Sequence, residues 1–171
     1  MVPVLETQRL RMRAWREEDI EPFAEFCANE KTARYVGGSC GRNDAWRRMA
    51  MFVGHWMLRS YGNWALEDKA SGQFVGYGGL WNPEGWPEPE VSWGLVKNFH
   101  GHGYATEAAG RARAFAYRDL GWPTAVSYIA PENVASKRVA GRLGAVYERA
   151  IELRGTSVGV YRHPAPQTLN S

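Results

Sequence analysis

The segment His100-Gly101-His102-Gly103-Tyr104-Ala105 sets two glycines and two histidines directly before an alanine-rich stretch. Glycine lets a main chain approach a ligand closely, and the first turn of a helix leaves its N–H groups unpaired. The helix dipole adds partial positive charge at the same place, so the segment suits a phosphate or pyrophosphate. A plain strand-to-helix turn would use the same residues. A dinucleotide fingerprint does not fit, because G-x-G-x-x-G needs glycine where Thr106 stands. The acidic residue that should follow about 20 positions on is also missing from 122–130. No G-x-x-x-x-G-K-[ST] occurs, which removes the nucleoside triphosphatase loop. NAD and ATP are both disfavoured.

Other constellations carry less. Gly37-Gly38-Ser39-Cys40-Gly41 satisfies G-x-S-x-G, but a nucleophile elbow needs a strand before it and a helix directly after it, in a larger sheet. Here it lies between two predicted helices and reads as a flexible loop. His100-x-His102 has no third ligand at a compatible spacing, so no metal is expected. Cys27 and Cys40 are too few for a disulfide scaffold or a zinc ribbon. Tyr35, Trp81 and Trp86 are candidates to line a pocket, the two tryptophans because Pro83, Gly85 and Pro87 surround them.

The elements that must position these residues follow from periodicity. Leu10, Met12 and Ala14 alternate with arginines, which predicts a half-buried strand; Ile20, Phe23, Ala24 and Cys27 then recur at helical spacing. A second helix should run from a cap at Asn43 or Asp44 to about Ser60. Two antiparallel strands, 64–67 and 74–80, flank the turn Lys69-Ala70-Ser71-Gly72. Strand 91–96 leads through the glycine-rich segment to a helix from about Gly103 to Leu120. That helix carries Ala105, Ala108, Ala109, Ala112 and Ala116 on one face, thin enough to pack close to a sheet. Strand 125–129, a helix from Asn133 to Leu143, and strands 146–153 and 157–162 complete the order. Strand–helix–strand implies a parallel crossover, so the fold class is mixed α/β, its sheet partly parallel and partly antiparallel.

A chain of 171 residues favours one domain, expected over 1–163 with a frayed tail at 164–171. With 44% hydrophobic and 23% charged residues it is neither disordered nor fibrous. Residues 1–85 balance 11 basic against 11 acidic groups, while 86–171 carry 10 and 7, so the net charge of +3 sits in the second half. That excess is too scattered for a nucleic-acid groove. The apolar stretch 49–58 is too short to span a bilayer, and no secretory signal is read. A cytoplasmic protein without nucleic-acid or membrane partners is expected, as a monomer or homodimer.

Three ordered stretches resemble the GNAT N-acetyltransferases. Glu90-Val91-Ser92-Trp93-Gly94-Leu95-Val96 followed by His100 to Ala108 resembles their acetyl-CoA-binding region, where Gly103 and Ala105 fit the pattern Q/R-x-x-G-x-G/A and His100 replaces Gln or Arg. Asn133-Val134-Ala135-Ser136, ending in Arg142-Leu143-Gly144, resembles the next helix of the family. Thr7-Gln8-Arg9-Leu10, with Arg13 and Asp19, resembles the branch that includes the ribosomal-protein-alanine acetyltransferases. The matches extend from about Leu5 to about Tyr161.

The resemblance implies a central, mostly antiparallel sheet with two splayed parallel strands, about four flanking helices, and acetyl-CoA as co-substrate without a metal. The main chain of Leu95 and Val96 would pair with the pantetheine arm, and the amides of Gly101, His102, Gly103, Tyr104 and Ala105 would hold the pyrophosphate, with help from the side chains of His100 and His102. Asn133 and Ser136 would reach pantetheine, though Asn133 could equally cap its helix, and Arg142 would meet phosphate or solvent. Transfer to an amine needs a base, oxyanion donors and a proton for the thiolate. Glu90 is the candidate base, through water, with Glu88 and Glu84 nearby. A backbone N–H at Leu95 is the oxyanion donor. Ser136 is the candidate acid, because Ala140 stands where many relatives carry tyrosine. Tyr35, Trp81 and Trp86 would meet the acceptor, a protein N-terminus or small amine, with the Gly37–Gly41 loop beside them. The rival reading is a catalytically silent CoA-binding or protein-interaction module on the same fold.

Overall fold

The structure, a computed structural model, describes residues 1–169. Its strands are β1 (Leu5–Glu6), β2 (Leu10–Arg13), β3 (Asn63–Asp68), β4 (Phe74–Trp81), β5 (Glu90–Leu95), β6 (Val126–Ile129), β7 (Val146–Leu153) and β8 (Thr156–Arg162). Its helices are α1 (Ile20–Ala28), α2 (Glu30–Ala33), α3 (Arg42–Arg59), α4 (Tyr104–Arg118) and α5 (Val134–Arg142). All strands join one sheet in the order β1-β2-β3-β4-β5-β6-β8-β7, antiparallel throughout except for β5 beside β6.

The helices divide between the two faces. The alanine face of α4 packs on one side against Leu66, Val75, Leu80, Val91 and Leu95. The approach is close: a Cβ on Gly78 would lie 3.3 Å from that of Ala108. On the other side α1 and α3 bury Phe23, Phe26, Met49 and Phe52 against Tyr77 and Trp81. There Gly94 gives way to the Tyr77 ring, which a Cβ would meet at 2.5 Å.

The N-terminal motif ties these layers together. Arg13 forms a bidentate pair with Asp19, both bonds 2.8 Å, and reaches Glu67 at 2.7 Å. Arg9 and Thr7 both bond Glu107 in the first turn of α4.

Three details differ from the sequence reading. The α3 cap is Gly41, with no side-chain bond, rather than Asn43 or Asp44. Among the described residues there are five α-helices rather than about four, the extra one being single-turn α2, whose N-terminus Asn29 caps by accepting from the Lys31 and Thr32 amides. Within the tail expected to fray, Pro166–Leu169 form a 3-10 turn and the Pro164 carbonyl accepts from Tyr117; Asn170 and Ser171 lie outside the described residues.

Candidate active site

Strands β5 and β6 are in register at one pair, Glu90 and Val126, after which they diverge. The Val126 amide still donates to the Pro89 carbonyl at 3.1 Å. One step on, the Val91 carbonyl finds a side chain instead, the Ser127 hydroxyl at 2.6 Å. Ser127 Oγ lies 2.9 Å from His163 Nε2, and His163 Nδ1 lies 3.1 Å from Arg113 Nη1. Burial, with the Arg113 cation beside it, pushes the His163 ring down to about 3, so it is neutral. Arginine can only donate, so Nδ1 accepts, Nε2–H donates to Ser127, and Ser127 donates to Val91. This buried chain of hydrogen bonds satisfies the strand edge at the point where main-chain pairing ends.

The free edge beyond it is short. The Val96 amide donates to Val75 in β4 at 2.9 Å, and the Val96 carbonyl accepts from Phe99 at 2.9 Å. By strand alternation the main chains of Trp93 and Leu95 face the gap. The Leu95 carbonyl accepts from His100 Nε2 at 2.8 Å, which leaves the Leu95 amide toward the opening. Of the two residues expected to pair with an extended ligand, Leu95 faces the gap and Val96 is occupied within the fold.

Below the gap, Gly101 and Gly103 take φ of +79° and +84°, in the left-handed region that favours glycine. Gly103 is the N-cap of α4 and has no side chain to cap it, so the amides of Tyr104, Ala105 and Thr106 point outward unpaired by the helix. The loop is braced from behind. Arg9 donates to the His102 carbonyl at 2.8 Å, and its guanidinium lies 4.4 Å over the Tyr104 ring. The Tyr104 hydroxyl is turned away to Asp68, at 2.8 Å, so only its main chain serves the loop. His100 and His102 are exposed, and Ala105 is buried. Thr106 Oγ1 is buried without a hydrogen-bond partner among the described residues. Arg142 is exposed on the last turn of α5, and the adjoining Leu143 packs on Gly110 and accepts from Arg113, well along α4.

Above the gap a cleft of about 780 Å³ opens, and its lining includes residues from both faces of the sheet. Trp93, Asn133 and Ser136 contribute from the α5 side; Tyr35, Phe52, Tyr77, Trp81 and Trp86 contribute from the α3 side. Glu90 sits between them, 8% exposed. Its carboxylate accepts from Trp86 Nε1 at 3.0 Å and from the Tyr128 amide at 3.5 Å. Burial pushes the Glu90 carboxyl up to about 8, against the opposing pull of those two donors. A carboxyl tuned to that range can take up and release protons near neutral pH. Glu88, by contrast, is held by Arg162 and Arg149, which lower it, and Glu84 is exposed and paired with Arg59.

Ser136 lies in the first turn of α5, where Asn133 caps the helix by accepting from the Ser136 amide at 3.1 Å. Ser136 Oγ accepts from Trp93 Nε1 at 3.2 Å. Indole nitrogen only donates, so the serine keeps its own proton for another acceptor. Ala140 is fully buried and supplies nothing to the cleft. Trp81 is set by His55, whose ring stacks on it at 4.5 Å while bonding the Tyr61 carbonyl and the Asn82 amide.

Several lining residues escaped the sequence reading. Tyr128 presents a buried hydroxyl without a hydrogen-bond partner among the described residues, and burial, with Glu88 and Glu90 nearby, raises it to about 12. Arg34, Arg47, Arg48 and Arg154 also line the cleft. No local pattern marks any of these, because β6 and the β7–β8 turn meet the α2–α3 loop only through topology. Among the described residues no group of three or more His, Cys, Asp or Glu is placed to hold a metal. No helix among them is long and apolar enough to cross a membrane.

Comparison with known proteins agrees with this fold. The acetyltransferase (GNAT) domain family matches residues 9–146. The Bacillus subtilis strain 168 protein YkkB is 30% identical over 165 residues, covering 92% of this chain and 93% of its own. An acetyltransferase from Agrobacterium tumefaciens C58 superimposes with a TM-score of 0.87 at 30% identity, covering 96% of this chain and 95% of that one. A ribosomal L7/L12 alpha-N-protein acetyltransferase in complex with coenzyme A shares the fold, with a TM-score of 0.78 at 15% identity over 94% of this chain and 97% of its own. With the parted strands and the uncapped helix behind them, the family match leads to one conclusion: this chain belongs to the GNAT acetyltransferase family.

Proposed function

We propose that the protein is an acetyl-CoA-dependent N-acetyltransferase that moves acetyl directly from the thioester to a primary amine. The observation that carries this reading is Glu90, a buried carboxyl tuned to about 8 where β5 and β6 part, between the aromatic cleft and the opening toward the α4 N-terminus. The chain's own groups fit the donor. Free amides and left-handed glycines suit the pyrophosphate, and the orphaned Thr106 hydroxyl supplies a further donor beside them. The Leu95 amide is free to pair with an extended arm or to meet an oxyanion. His100 supports the β5 edge through its bond to Leu95, and His102 stands exposed at the loop.

Acetyl-CoA supplies an activated acyl group; the rest falls to side chains. Glu90 takes the proton that the attacking ammonium must lose, through water, and passes it to solvent. Ser136, in the cleft lining, keeps a hydroxyl proton it can offer to a leaving thiolate, whose pKa of about 8.5 needs little help. Tyr35, Trp81 and Trp86 form the acceptor walls. The ribosomal-protein-alanine branch, a cytoplasmic location, and a single domain over 1–163 remain part of this reading.

A thermal shift with acetyl-CoA, run beside NAD and ATP, tests it. A ligand at 100 times its Kd adds about 2.7 kcal/mol of stability. Stabilisation by acetyl-CoA alone is expected; no shift at millimolar acetyl-CoA would remove the donor assignment.

A further inference from the structure

The charge of the cleft is one-sided. Arg34, Arg47, Arg48 and Arg154 line it, and among the described residues Glu90 is the one carboxyl in that lining. Arg47 is paired with Asp44 at 2.8 Å, whereas Arg34, Arg48 and Arg154 have no carboxylate within ion-pair distance among the described residues. Arg48 donates to the Val36, Gly37 and Gly38 carbonyls, which hold its guanidinium in place without neutralising it. The Arg34 guanidinium lies 5.1 Å over the Tyr35 ring. Arg154 comes from the opposite quarter, the Arg154-Gly155 turn between β7 and β8, where both residues have positive φ. Burial keeps Glu90 largely protonated at neutral pH, so it does not offset these cations.

A cleft whose unpaired lining charges are of one sign selects ligands by charge. A polyamine or aminoglycoside would bring additional ammonium groups into a lining whose unpaired charges are all positive. An amine that also carries a carboxylate or phosphate would find guanidiniums without a carboxylate partner, the side chain best shaped for either group.

Resting on the acetyltransfer reading above, we infer that the acceptor is a primary amine bearing an anionic group on the same molecule, with Arg34, Arg48 and Arg154 receiving the anion while the amine faces Glu90. In the reaction the amine nitrogen bonds to the acetyl carbon and the carbon–sulfur bond breaks, its electron pair leaving on sulfur. Of the two protons the ammonium sheds, one reaches solvent through Glu90 and the other ends on the thiol. The products are an N-acetyl anion and free CoA.

The test is acceptor-dependent thiol release with matched pairs. Free amino acids are compared with their amides, Asp- and Glu-containing tripeptides with their Asn and Gln counterparts, and O-phosphoethanolamine with ethanolamine; spermidine serves as the polycation. The expected result is at least a tenfold higher kcat/KM for the anionic member of one pair, which also tells whether the source is a small molecule or a peptide. In Arg34→Gln and Arg154→Gln that preference should shrink through KM, and Arg154→Lys, which keeps the charge, should restore it. Binding read by tryptophan fluorescence without acetyl-CoA should rank N-acetyl amino acids above their uncharged amides in the same way. Equal rates within every pair, or spermidine as the best acceptor, would overturn this inference while leaving acetyltransfer standing. Turnover of no amine by protein that binds acetyl-CoA would overturn both.

Discussion

Glu90 and Val126 form the one residue pair at which β5 and β6 are in register, and the Glu90 carboxyl is buried at that junction. The strand pairing therefore fixes the proposed base relative to the opening it would serve. Its donors, Trp86 Nε1 and the Tyr128 amide, come from the β4–β5 connection and from β6, so the position depends on both sides of the gap.

Activity should follow the ionised form of Glu90. With the carboxyl at about 8, kcat/KM should rise from pH 6 to 9 and level off above that value. Glu90→Gln should lose roughly 10²–10⁴-fold and flatten the profile, as loss of a general base does. A pH–rate series on both proteins measures it.

The same group makes stability pH-dependent, with a definite sign. Glu90 is raised in the folded protein from 4.5 to about 8, so between those values the native state binds the extra proton. Stability is then full below pH 4.5 and falls as pH rises through 8. Thermal melts of Glu90→Gln should show a smaller decline across that window than wild type.

Thr106→Val separates cofactor binding from folding. The Thr106 hydroxyl is buried without a partner among the described residues, so an isosteric methyl should leave the melting temperature equal or higher. If that hydroxyl meets the pyrophosphate, calorimetry should show acetyl-CoA binding weakened by about 1 kcal/mol, roughly fivefold.

Ser127→Ala removes the one side chain that joins His163 to the Val91 carbonyl. It leaves a buried donor and a buried acceptor unsatisfied, at a cost of about 1–3 kcal/mol. Denaturant unfolding measures that loss. Because the bond closes the base of the gap, KM for acetyl-CoA should rise as well.

Much of this was legible in the sequence. The alternation of Leu10, Met12 and Ala14, the alanine face of α4, and the strand–helix–strand order gave nearly every element, because each is a local period. The glycines at 101 and 103, read as places for close approach, take left-handed conformations, and Glu90, Asn133, Ser136, Tyr35, Trp81 and Trp86 line one cleft. Single-turn α2 escaped because four residues hold no period; its sign was the Asn29 cap. Sequence places Val96 beside Leu95 at the edge, but the strand alternation that turns its amide to Val75 depends on a register no spacing reveals. The Ser127–His163–Arg113 chain joins residues 36 and 50 positions apart, and the arginines of the cleft come from opposite ends of the chain. Only the topology assembles them.

Acceptor-stimulated release of free CoA thiol from acetyl-CoA, measured for wild type and Glu90→Gln across the amine panel, tests the central claim most directly. The account predicts that an amine accelerates thiol release, that the amine is recovered as its acetyl amide, and that Glu90→Gln abolishes most of the acceleration while still binding acetyl-CoA. Thiol release indifferent to every amine, or unchanged in Glu90→Gln at all pH values, would contradict it.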